Sequence, residues 1–132
     1  MATASEDKQR HAVELWINHS AFAWSQVRAI PLIEGALIAG AYAVYRDNRA
    51  DLARLVLIVG SFLLLAIFLL LHRHFQYVDS FQTAAGDLIP RARGPLLGLQ
   101  SKVVAQGVVV LLAFMNLTLA ILISSELVQM KR

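Results

Sequence analysis

The chain has no cysteine. Disulfides, thiolate metal sites and cysteine nucleophiles are therefore excluded. Proline is confined to Pro31, Pro90 and Pro95, so between Ser5 and Gly86 only Pro31 removes a helical hydrogen-bond donor. Enzyme signatures are missing as well. There is no GxSxG elbow, no HExxH, no P-loop and no GxGxxG in a strand–helix setting. The opening MATASEDKQR is polar and of mixed charge, without a short apolar core and cleavage site, and no signal peptide is expected. With 132 residues the chain is at most one domain.

Charge is also missing from long stretches. Leu55–Leu71 runs 17 residues without a charge, Val103–Ser125 runs 23 without one, and Ala29–Tyr45 runs 17 with Glu34 alone. The hydrophobic fraction is 58% and the mean hydropathy is +0.59, where soluble domains are about 45–50% apolar. Crossing a bilayer core takes roughly 20 helical residues. Three spans is the simplest count. The blocks do not alternate as membrane strands must, so a barrel is disfavoured. The predicted fold is an all-α membrane protein with three transmembrane helices in one domain.

The first helix is predicted over about residues 8–45, with its span at 29–45. Ser5 or Asp7 is a candidate cap, and Glu6 and Asp7 suit the positive helix end. Val13, Trp16, Ala23, Val27 and Ile30 recur at helical steps. Trp16 and Glu34 fall on one line of that helix, and Pro31 is expected to kink it near the membrane surface. Arg46-Asp47-Asn48-Arg49 suits a tight hairpin. A second helix follows over about 50–85, with its span at 55–71. Both helices would overshoot the bilayer on the same side and pack as an antiparallel stalk. GDLIPRARGPLLGLQS, residues 86–101, reads as a loop with a short turn at Leu96–Leu99. A third helix is predicted over about 102–129, with its span at 103–125.

The stalk side holds seven basic residues (Lys8, Arg10, Arg28, Arg73, Arg91, Arg93, Lys102) and the other side five (Arg46, Arg49, Arg54, Lys131, Arg132). Basic residues concentrate in cytoplasmic loops, which places the N-terminus and stalk in the cytoplasm. The net charge of +3 is modest. Its basic residues flank spans, so they report topology and lipid headgroups, and no nucleic-acid partner is expected. In architecture alone the outline resembles small multimeric proteins of the bacterial inner membrane. That likeness is architectural and licenses no transfer of function.

Glu34 is the sharpest feature. A carboxylate at the centre of a span costs about 2.5–3.5 kcal/mol on insertion scales, so it must face protein or water or carry a proton. Matching the starts of spans one and three puts Gln106 at its depth, and hairpin pairing puts Ser61 there, giving a polar layer of Glu34, Ser61 and Gln106. Gly35, Ala39 and Ala43 are spaced by four, as are Ala36 and Gly40. Such stripes permit close helix approach in lipid. Three helices are few to shield a carboxylate, which argues for a homo-oligomer packed through this stripe, with Trp16 as stalk core or a contact to a neighbouring chain. Arg28 is awkwardly placed to pair with Glu34 in one chain. Trp24, Arg28, His72, Arg73, His74 and Tyr77 are expected at the headgroup interface. His72 and His74 point their rings apart on a helix, which is poor for chelation. No metal, cofactor or catalytic role is expected. The functional expectation is an oligomeric pore or channel-like assembly with helix one at its axis. The alternative is a non-catalytic accessory or scaffold subunit of a larger membrane complex. A membrane enzyme or metal transporter using the histidines ranks third.

Overall fold

The computed structural model describes residues 4–89 and 101–130, with side chains over 6–89 and 101–125. These residues form three α-helices and no strand: α1 Ala4–Arg46, α2 Ala50–Ala85 and α3 Ser101–Met130, with a 3₁₀ turn at Gly86–Leu88 following α2. All three are long and apolar enough to cross a membrane, and the chain is an integral membrane protein. The 43 residues of α1 and 36 of α2 reach roughly 65 and 54 Å, more than a bilayer core requires.

α1 starts earlier than the sequence suggested, with Glu6 and Asp7 in its first turn opposite the partial positive charge of the exposed N–H groups. Pro31 deletes one N–H but does not end the helix. At its other end, Arg49 N–H donates to Val44 O at 3.2 Å and Asn48 N–H to Tyr45 O at 3.0 Å. Asn48 has φ 60°, a left-handed conformation that asparagine tolerates better than most residues. This is a Schellman end, and it turns the chain straight into α2. At the far end of α2, Gly86 has φ 61°, again a conformation that disfavours other residues.

α2 is the middle helix. It packs along both α1 and α3, whereas α1 and α3 barely touch. The main core joins Ala23 and Ile30 of α1 to Leu64, Leu71 and Phe75 of α2 and to Val109 and Ala113 of α3. A second cluster gathers Ala41, Leu57 and Ala120 near the α1–α2 hairpin. A third gathers Ala12, Ala85 and Ile89 at the opposite end, with Trp16 against it. The buried seam of α1 is Ala12, Ala23, Ile30, Glu34 and Ala41, and that of α3 is Ala105, Val109, Ala113, Asn116 and Ala120. Steps of three, four, seven and eleven keep each seam on one side of its helix, as in a coiled coil. Alanine at so many of these positions lets the backbones approach closely, which is how helices gain packing energy in lipid.

The loop expected at 86–101 begins at the 3₁₀ turn. α3 already starts at Ser101; residues 90–100, with the turn expected at Leu96–Leu99, lie outside the described residues, as do Arg91, Arg93, Lys131 and Arg132 of the charge count.

Candidate functional site

Among the described residues, three polar side chains are buried, one from each helix: Glu34 on α1, Ser61 on α2 and Asn116 on α3. Asn116 is fully buried and Glu34 is 5% exposed. Asn116 Nδ2 donates to Glu34 Oε2 at 3.2 Å. Ser61 Oγ lies 3.0 Å from Leu57 O in its own helix and 3.1 Å from Ala113 O of α3. The one hydroxyl hydrogen is shared between these two acceptors, and the second of them ties α2 to α3. Glu34 Oε1 and Asn116 Oδ1 are buried with no hydrogen-bond partner.

Glu34 also lines an apolar groove of about 470 Å³ between α1 and α3, walled by Val27, Ile30, Pro31, Ala105, Val108 and Leu112. The groove lies where the two outer helices, each packed along α2, barely touch. No lysine, arginine or histidine of the described residues forms an ion pair with Glu34. Arg28, the nearest basic residue on α1, is exposed.

Gln106 does not share the level of Glu34. It sits with His72, Nε2 to Nδ1 at 3.4 Å. The register of α3 explains the correction. Lys102 pairs with Asp79, and Arg54 reaches Ser124 Oγ at 3.5 Å near the other end. The first turns of α3 thus lie beside residues 72–79 of α2, beyond the stretch that Glu34 faces. Glu34 meets Asn116 instead, 116 − 106 = 10 residues further along, or roughly 15 Å.

The small-residue stripe is not where Glu34 points. Gly35, Ala36, Ala39 and Ala43 are exposed and Gly40 is half-buried. At 100° per residue, Gly35, Ala39 and Ala43 stand about 100°, 140° and 180° around α1 from Glu34. Glu34 belongs to the inward seam, on the line of Trp16. A Cβ placed on Gly35 or Gly40 would meet no atom within 4 Å, whereas one on Gly60 would meet Leu37 Cδ1 at 3.0 Å. Within the chain, the glycine that permits close approach is Gly60.

The residues expected at the interface gather toward the other end of the helices. Trp24 meets Phe75 edge-on at 5.7 Å. His72 and His74 diverge. His72 stacks on Phe68 at 6.1 Å and faces Gln106. His74 turns to α1, with its ring 5.9 Å from His19 and 4.8 Å from Phe22. Arg73 donates to the Tyr77 hydroxyl at 3.3 Å and lies over its ring at 5.8 Å. Trp16 is half-buried against Ala12, Ala85 and Ile89, so the chain's own helices supply its contacts. Among the described residues no group of three or more His, Asp or Glu side chains is placed to hold a metal ion.

Asn116 is the buried partner of Glu34 that the polar layer drawn from sequence omitted. Its signal was available: one amide in the run Ala105, Val109, Ala113, Asn116, Ala120, otherwise apolar and all on one side of the helix.

No known protein family, curated protein or solved structure matches this chain. Fold and site together define a three-helix integral membrane protein with a carboxyl–carboxamide pair on its inner seam and a small-residue face on its outside.

Proposed function

We propose that the protein is a small homo-oligomer of the membrane, with α1 turned to the symmetry axis of a channel-like assembly. The observation that carries this is the outward face of α1. Gly35, Ala36, Ala39 and Ala43 are exposed on the single chain, and glycine and alanine offer lipid little to pack against. What they permit is the close approach of another helix. A second copy presents the same face, and rotational symmetry then closes the contact. The parts of α1 and α2 beyond the bilayer form the stalk in this arrangement. The charge count puts that stalk and the N-terminus in the cytoplasm, with the bacterial inner membrane as the setting. The axis is lined by the small face, and Glu34 stands behind it on the inner seam.

The engagement of Glu34 inside its own chain favours a second reading, a non-catalytic accessory or scaffold subunit. There the same small face seats a helix of a different protein. Native mass measurement after gentle extraction separates the two: a repeated single mass supports the homo-oligomer, and foreign subunits support the accessory role. Recordings in planar bilayers test the channel itself. Conductance from the purified oligomer supports it, and none at any pH or voltage overturns it.

A further inference from the structure

Glu34 and Asn116 are joined by one hydrogen bond, and each keeps one buried oxygen without a donor. Both orphans are acceptors when the carboxyl is ionised, since a carboxylate only accepts and the amide oxygen only accepts. The seam around them offers no remedy. The buried residues of α2 nearest this level are Gly60, Ser61 and Leu64, and those of α3 are Ala113 and Ala120. Ser61 already directs its hydroxyl at Leu57 O and Ala113 O. The groove on the open side is walled by aliphatic side chains, and the hydrocarbon beyond it has no donor either. No cation of the described residues pairs with the carboxyl, and an unpaired buried charge is the costliest group a core can hold.

We propose that Glu34 is a proton-binding site, holding its proton at Oε1 and sharing it with Asn116 Oδ1. One proton then supplies the donor that both orphans lack. The acid O–H donates to the amide oxygen, the amide N–H donates to the acid carbonyl, and the pair closes as a neutral carboxylic acid–carboxamide couple. No bond other than the O–H is involved. When the proton leaves, an anion remains on the wall of an apolar groove, so release requires water or a cation to enter between α1 and α3. The inference stands apart from the oligomer reading, since every atom it uses belongs to one chain.

Infrared spectroscopy of the purified protein in lipid at neutral pH tests it. The spectrum should contain the carbonyl band of a protonated carboxyl. That band should shift in deuterium oxide and move in protein grown on carbon-13 glutamate, which assigns it to a glutamate without any substitution. It should vanish in Glu34→Gln and shift in Asn116→Ala, where its amide partner is gone. A spectrum with carboxylate bands only overturns the proposal. So does an acid band that survives Glu34→Gln. Glutamine carries the donor that the acid supplies, so the Glu34→Gln variant should keep the wild-type unfolding midpoint. A conducting or silent channel leaves the infrared result unchanged, so the two proposals fail separately.

Discussion

The two sides of α1 are built from similarly small residues and do opposite things. Its inner side carries Ala12, Ala23 and Ala41 with Ile30 and Glu34, all buried. Its outer side carries Gly35, Ala36, Ala39 and Ala43, all uncovered. On the inner side, smallness is consumed by the chain's own packing. On the outer side, even an added Cβ at Gly35 finds open space. Small residues in a membrane helix thus carry two messages, and only the identity of the neighbour separates them. The inner face packs the chain on itself, and the outer face is the one through which chains are proposed to meet.

Substitutions can break or sharpen that contrast. The largest effect is expected at Leu64, fully buried where all three helices meet. Leu64→Ala should cost about 2–5 kcal/mol through lost contacts and a cavity, read by denaturant or thermal unfolding in detergent. Next comes a pair of glycines. Gly60→Leu forces a side chain against Leu37, whose Cδ1 lies only 3.0 Å from where the new Cβ must sit, and should cost about 1–3 kcal/mol as overpacking. Gly35→Leu should change the unfolding of the isolated chain by no more than about 0.5 kcal/mol. Equal costs at the two glycines would erase the distinction between the faces. Ser61→Ala should cost about 1 kcal/mol, since it removes the hydroxyl that bridges α2 to the Ala113 carbonyl. Among the contacts within the chain, the smallest effect is expected at the solvent-accessible pair of Lys102 and Asp79. Lys102→Ala should cost at most about 1 kcal/mol, and less in high salt.

Much of the fold was legible in the sequence because membrane helices announce themselves by uninterrupted apolar length. The residues Arg46 to Arg49 also gave away the hairpin, since they interrupt two apolar helices with four polar residues. Trp16 and Glu34 lie on one line of the helix, and that line is the buried seam. The candidate site was legible only in part, for two physical reasons. Glu34 neighbours Gly35 in sequence but faces a different way, because one helical step turns the side chain by about 100°. Adjacency in the chain therefore suggests a shared face that the helix does not provide. The register of α3 was the harder matter. No residue pattern in the sequence sets how far α3 slides along its partners. The slide is set by contacts such as Lys102 with Asp79, between residues far apart in the chain. A slip of about three turns exchanged Gln106 for Asn116.

The outer face of α1 is tested most directly by the mass of the particle extracted in mild detergent, wild type beside a variant carrying both Gly35→Leu and Ala39→Leu. The wild type should be a fixed multiple of the 14.6 kDa chain. The variant should fall to a single chain while keeping its helical circular dichroism. A wild type of one chain, or a variant that keeps the wild-type multiple, would contradict assembly through this face.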